Sequence, residues 1–311
     1  MRGLAAFIMR GRSQAAMVAT VLLLLALLLP LVSILSAAAV ALVTLRKGST
    51  DGLVVIGVSA VASGVLGYLA VGSPLPVLAY GLMLWLPVWA LAWLLRASRS
   101  LDLTVQAALG FGLLVILAVY VQTEDPVELW LELLKPLWEN LFPAAEPGDG
   151  SQGQTVQFDE GILRQVAAWM TGAFAAGFYL QLVLGLFVAR WWQAVLYHPA
   201  GFGTEFRALR IGRLLGYLGV ALVVLWVFLG AAVPDWLRDL LLLLIPLFFL
   251  QGLAVLHALA AQAANKRIWL VTVYLLLVFA MPHAELLVAL LGLADVWVNF
   301  RTRLGRSDKS H

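Results

Sequence analysis

The sequence predicts an all-α protein: a polytopic bundle of about 8–10 transmembrane helices with the N- and C-termini cytoplasmic. Three observations predict it. Apolar residues make up 63% of the 311-residue chain and charged residues 12%. That is too little charge to cover the surface of a soluble domain of this length. The apolar residues fall into separate runs, many close to the length that spans a bilayer. The basic residues between those runs sort to one side.

The first run covers about residues 14–29 and follows Arg2, Arg10 and Arg12. This arrangement resembles a signal peptide, but the apolar stretch from Ala15 to Leu45 is too long for its hydrophobic region, so it reads as retained membrane helix. Pro30 separates this run from the next, about 31–46. One kinked span would place Arg46 and Lys47 opposite the N-terminal arginines. A hairpin places them together, and the positive-inside rule selects the hairpin. Further runs follow at about 53–72, 75–95, 101–121, 162–189, 212–232, 236–262, 267–281 and 284–300. Around Met281, Pro282 and His283 the same reasoning predicts a second hairpin, which joins Lys266 and Arg267 to Arg301 and Arg303. With both hairpins, all of the 20 Lys and Arg except Lys135, Arg164 and Arg238 lie on the cytoplasmic side. Basic residues scattered over many short loops are topology signals, and no nucleic-acid partner is expected.

The chain divides into N-terminal transmembrane helices (1–121), an outer loop (122–161), and C-terminal transmembrane helices with a short cytoplasmic tail (162–311). The outer loop opens with an amphipathic helix. Asp125 is a suitable N-cap, Pro126 fits the first helical position, and Glu128 stands where a capping box needs it. Leu129, Trp130, Leu133, Leu134, Leu137, Trp138 and Leu141 form an apolar face, and Pro136 should bend the helix. Pro143 to Thr155 reads as a flexible linker.

Polar groups inside spans are functional candidates, because hydrocarbon offers them no partner. Gln106, Gln181, Gln251, His257 and Asp295 are the main ones, and Asn299 shares a helix face with Asp295. Gln181, Gln251, His257, Asp295 and Asn299 are the candidate ligand-binding residues. For Asp295 a helix-end lock with Arg301 outweighs an ion-coupling carboxylate. For His257 a hydrogen bond to a neighbouring helix outweighs a ligand contact. Glu205, Arg207 and Arg210, in the loop between Arg190 and Arg213, are candidate partner-docking residues. A basic stripe at the membrane surface is the plainer reading of that loop. Ala37 and Ala41, in Ala37-Ala-Ala-Val-Ala41, form a small-xxx-small pattern, as do Ser63 and Gly67. Ordinary packing within the chain is the plainer use of both.

Cysteine is absent, which removes thiolate sites and a cysteine nucleophile. No histidine pair has metal spacing, and the serine-hydrolase, zinc-protease and Walker signatures are missing. The chain is therefore expected to be no enzyme and to hold no cofactor.

Two stretches carry a family resemblance. Leu29-Pro-Leu-Val-Ser-Ile-Leu-Ser-Ala-Ala-Ala-Val-Ala-Leu-Val-Thr-Leu-Arg46-Lys-Gly48 and Gly292-Leu-Ala-Asp295-Val-Trp-Val-Asn-Phe-Arg301 resemble the YybS-like bacterial integral membrane family, domain of unknown function 2232. The resemblance implies the bacterial cytoplasmic membrane. It also implies a distant similarity to the substrate-binding components of energy-coupling-factor transporters, whose Ala-x-x-x-Ala motif docks on a membrane partner; Ala37 and Ala41 match that spacing. The expected function is a small-molecule-binding component of a transporter, with the bilayer, a membrane protein and a small ligand as partners. The alternative is a scaffold that holds partner proteins.

Overall fold

The computed structural model describes residues 1–141, 160–263 and 265–301. The linker expected over Pro143–Thr155 and the tail beyond Arg301 lie outside the described residues. Among the described residues there are fourteen α-helices and two single 3-10 turns, and no strand.

The N-terminal half begins with α1 (Arg2–Ile8), α2 (Arg12–Ala26) and α3 (Ser33–Lys47), followed by α4 (Ser49–Val71) and α5 (Leu75–Ser98). Its centre is α3, in which every residue from Ser36 to Leu45 is buried. A helix can be enclosed on all sides only if its side chains let neighbours approach, and the serine and alanines of α3 do so. Ala37 lies against Gly185, where an added Cβ would stand 2.8 Å from the Ala37 Cβ. Ser36 Oγ donates to the Ala19 carbonyl at 2.7 Å and accepts from Trp85 Nε1 at 3.0 Å. The Ser36–Ala19 bond joins α3 to α2, so Pro30 marks a hairpin, as the charge pattern requires. Gly67 of α4 packs against Val77 of α5, with an added Cβ 3.0 Å from the valine.

The helices α6 (Leu101–Ala107) and α7 (Leu109–Gln122) form one span. Then α8 (Pro126–Leu141) lies at the start of α9 (Glu160–Tyr197). Asp125 Oδ1 accepts from the backbone N–H of Val127 at 2.9 Å and of Glu128 at 3.2 Å, which is the expected N-cap. Trp130 and Leu131 turn toward Leu163 and Ala167, and Trp130 Nε1 donates to Thr171 Oγ1 at 2.8 Å. Leu133 and Leu137 remain exposed. The amphipathic helix thus spends much of its apolar face on α9. With 38 residues α9 is about 57 Å long, enough to cross a bilayer and project from it.

The second half contains α10 (Gly201–Ala208), α11 (Arg213–Leu229), α12 (Asp235–Ala260), α13 (Lys266–Phe279) and α14 (His283–Val298). Here α12 and α14 touch backbone to backbone. A Cβ at Gly252 would fall 1.9 Å from the Val288 carbonyl oxygen, and one at Gly292 would fall 1.9 Å from that of Phe248.

Among the described residues six helical stretches, including Pro30–Lys47 and Leu101–Gln122, are long and apolar enough to cross a membrane, and α10 with α11, bent by 55°, adds a seventh candidate. The remaining apolar helices α2, α13 and α14 have 15, 14 and 16 residues. At about 1.5 Å per residue they fall short of a hydrocarbon core about 30 Å thick. Of these short helices, α2 belongs to the first expected hairpin, where its partner is the longer Pro30–Lys47 stretch, and α13 and α14 to the second.

The loops assigned to one side by charge meet at one end of the bundle. Arg12 pairs with Asp51, Arg96 donates to the carbonyls of Leu45 and Arg46, and Arg46 stacks on Tyr197. The opposite end carries α8, the Arg164–Glu128 pair at 3.6 Å, and the Asp235–Arg238 pair at 2.8 Å.

Two predictions follow from this architecture. Single cysteines at Ala97, on the basic end, and Glu124, on the opposite end, should report opposite sides. In intact cells Glu124→Cys should react with an impermeant maleimide and Ala97→Cys only after permeabilisation. The reverse pattern would invert the orientation. Gly252→Ala and Gly292→Ala should each lower stability by about 1–3 kcal/mol in detergent unfolding. Gly57→Ala, which has nothing within 4 Å of its Cβ position, should be neutral and serves as the control.

Candidate functional site

The densest polar cluster surrounds a break in the chain. Residues 209–212 separate α10 from α11 and are not helical, which frees their backbone groups. Leu209 and Ile211 are buried. Non-helical backbone is tolerated at membrane depth only where protein or water satisfies it.

Side chains from α6, from α12 and from the residues just after α14 supply that satisfaction. Asp102 Oδ1 accepts from the Arg210 N–H at 3.0 Å. Gln251 Oε1 accepts from the Ile211 N–H at 3.0 Å. Gln106 Oε1 accepts from the Gly212 N–H at 2.9 Å. Arg301 Nη2 donates to the Leu209 carbonyl at 2.7 Å. The two acceptors from α6 stand four residues apart, so they share one helix face and reach alternate N–H groups.

A second layer holds the first. Gln251 Nε2 donates to Asp295 Oδ2 at 3.2 Å, and that oxygen lies 3.3 Å from Arg301 Nη2. Asp295 Oδ1 accepts from the Phe300 N–H at 2.9 Å. Asn299, in the left-handed region with φ 51°, ends α14 and accepts from Arg210 Nη2 at 2.8 Å. Burial pushes the Arg301 guanidinium below its ordinary pKa, and the Asp295 carboxylate opposes that shift. In geometry Asp295 is a helix-end lock.

Gln251, Asp295, Asn299 and Arg210 therefore come together, but as a clamp on backbone and not as one ligand pocket. Gln181 is elsewhere: its Nε2 donates to Ser33 Oγ at 2.8 Å, and it lines a separate pocket of about 480 Å³ with Tyr80, Met83 and Phe178. His257 is also apart. Its Nδ1 is 2.8 Å from the Leu253 carbonyl, so Nδ1 carries a proton, and its Nε2 is 3.1 Å from the Tyr274 hydroxyl. Its ring meets Phe206 edge-on.

The docking candidates divide similarly. Glu205 is held by Arg190 in a two-pronged pair, and Arg207 is half-buried on α10. Ala37 and Ala41 require a correction. Both are fully buried inside the bundle, Ala37 against Gly185 of α9, so their spacing serves an internal helix contact and presents no face to a partner.

The end of the bundle opposite the basic loops holds a cluster that sequence reasoning missed. Asp239 is 1% exposed. Its Oδ2 accepts from Tyr120 at 2.8 Å and its Oδ1 from the Gly172 N–H at 3.0 Å. Arg238 Nη2 donates to the Ala168 carbonyl. Gly172 N–H and the Ala168 carbonyl are the two groups that an uninterrupted helix bonds to each other. Only glycine fits at 172, where a Cβ would lie 2.8 Å from the Asp239 Cα. The sequence pattern uses Arg238 only as a charge on the non-cytoplasmic side and does not single out Asp239.

Beside this cluster α9, α11, α12 and α14 enclose a cavity of about 450 Å³ lined by Trp169, Val223, Trp226, Phe248, Ala289 and Arg238. The Arg238 guanidinium stands 5.5 Å from the Trp169 ring centroid, and its buried Nε has no hydrogen-bond partner. Among the described residues no three His, Cys, Asp or Glu are grouped to hold a metal ion.

A family model described as "Predicted membrane protein (DUF2232)" matches residues 17–296. No curated protein and no solved structure matches the chain. The similarity to energy-coupling-factor components has no support among these comparisons.

The clamp makes a sharp prediction. Asp295→Ala leaves Arg301 buried without its carboxylate and should cost about 3–5 kcal/mol. Asp295→Asn removes the same charge and turns an amide NH2 toward either the Phe300 N–H or the Gln251 and Arg301 donors, so it should cost nearly as much. Detergent unfolding of the two variants measures both costs, and a near-neutral Asp295→Asn would remove the charge pair as the clamp's anchor.

Proposed function

The chain belongs to the DUF2232 family of predicted membrane proteins, and on that premise we propose that it is a small-molecule-binding component of a membrane transport system. The observation that carries this reading is the cavity of about 450 Å³ with Arg238 at one end. Its volume lies within the range of small-ligand pockets, about 300–1,000 Å³. Its wall is aromatic and aliphatic, and the rim residues Leu286 and Leu290 are exposed. A ligand would enter sideways from the lipid. Arg238 already gives Nη2 to Asp235 and Ala168, while Nε remains without a partner. The matching ligand has an apolar body and a hydrogen-bond-accepting head.

Energy would come from a partner chain, since the sequence carries no nucleotide-binding loop. The bacterial cytoplasmic membrane, with the basic end facing the cytoplasm, is the location that the charge pattern favours. The scaffold alternative has less support, because Glu205 and Arg210, two of its charges, are engaged within the chain.

Val223→Trp would fill the cavity and Arg238→Gln would remove its charged donor. Native mass spectrometry of the full chain from its own membranes should show a co-purifying small molecule that Val223→Trp loses and Arg238→Gln holds more weakly. Both variants retaining every species that the wild type retains would sink this reading.

A further inference from the structure

The basic end contains a second site, independent of the cavity above. We propose that the cleft among the ends of α3, α5 and α9 binds a phosphate-type anion, supplied by the headgroup of an anionic lipid.

The cleft has a volume of about 330 Å³ and is lined by Arg46, Arg96, Arg99, Arg190, Tyr197 and His198, with Leu45 and Leu95 as apolar wall. Glu205 is the only carboxylate of its lining and is already held by Arg190, whose Nε reaches Glu205 Oε2 at 2.9 Å. Arg190 Nη1 also donates to Gln193 at 2.9 Å. Arg46, Arg96 and Arg99 have no carboxylate in salt-bridge range among the described residues. Three uncompensated positive charges therefore face one small, partly apolar space, which concentrates positive potential there.

Two of the arginines are held in place before any ligand arrives. Arg96 Nη1 donates to the Leu45 carbonyl at 2.8 Å and to the Arg46 carbonyl at 3.1 Å. Those are terminal carbonyls of α3, whose negative dipole end would otherwise repel an anion; Arg96 offsets it. The Arg46 guanidinium lies over the Tyr197 ring, 4.1 Å from its centroid. Arg99 projects from the residue that ends α5, with φ 53°. A guanidinium fork matches the paired oxygens of a phosphate, and a planar group already stacked loses little freedom on binding.

The location favours a lipid over a free anion. The cleft sits where three membrane helices end, and the exposed Trp93 and Trp191 lie on α5 and α9 near the same ends. Tryptophan at that level marks the headgroup zone. Basic pockets between transmembrane helices on the cytoplasmic side are suited to anionic headgroups.

The test uses the full chain in nanodiscs of phosphatidylcholine with and without phosphatidylglycerol, released for native mass spectrometry. Wild type should retain phosphatidylglycerol selectively over phosphatidylcholine. The double variant Arg46→Gln/Arg99→Gln should retain it about tenfold less, the loss expected for charge-assisted bonds. Arg46→Lys/Arg99→Lys should recover part of the binding, and matching circular dichroism spectra exclude misfolding as the cause of any loss. Competition by inorganic phosphate, with no preference for phosphatidylglycerol, would keep the anion site and overturn its lipid source. Equal lipid retention by wild type and the glutamine variant, with no response to phosphate, would overturn the site.

Discussion

The structure depends on one constraint: a backbone N–H or carbonyl removed from water must find its partner in the protein. Continuous helices meet that demand by themselves. This chain interrupts them at 209–212, and several of its buried polar side chains gather there. At 209–212 three consecutive N–H groups are taken by Asp102, Gln251 and Gln106, and one carbonyl by Arg301. Near the other end Asp239 and Arg238 bond the Gly172 N–H and the Ala168 carbonyl of α9. The intramembrane carboxylates are thereby explained as structural before any chemistry is asked of them.

The second organising feature is the close approach of backbones. In α3 small side chains let four helices crowd around one, and Ser36 ties α3 to both α2 and α5 without leaving a polar group idle. Between α12 and α14 glycine does the same work more strictly, since no side chain fits at Gly252 or Gly292. The clamp then adds polar bonds to that contact through Gln251 and Asp295. Apolar contact and hydrogen bonding thus secure the same pair of helices.

Much of this was legible in the sequence because it depends on local pattern. Run length and charge sorting located the helices, and the hairpin at Pro30 followed from the side on which Arg46 and Lys47 belong. The Asp125 cap was readable from spacing alone, and so was the proximity of Asp295 to Arg301. The illegible part consists of contacts between distant segments. Gly252 and Gly292 are forty residues apart, so no periodicity links them. Asp102 is not among the sequence candidates, since nothing local joins it to Arg210. For Ala37 and Ala41 the spacing was visible and internal packing was its plainer use, but spacing alone does not say whether a helix lies at the centre or the rim. The candidate ligand residues scattered for the same reason, since polarity within a span marks a need for a partner and does not name the partner.

The two ends of the bundle have different chemistry, and α12 spans both. It places Arg238 at the cavity and Gln251 in the clamp, about 20 Å further along the helix. Because Gly252 and Gly292 leave no clearance, α14 cannot slide along α12, and the two must move as one body. The cavity draws residues from that body, from α11 and from α9. Any widening of it must therefore part α12 and α14 from α9 or from α11. The first route strains the Asp239–Gly172 bond, and the second strains the bonds that Gln251 and Arg301 make to the chain entering α11. Widening of the cavity is thus opposed on either route by a few buried hydrogen bonds.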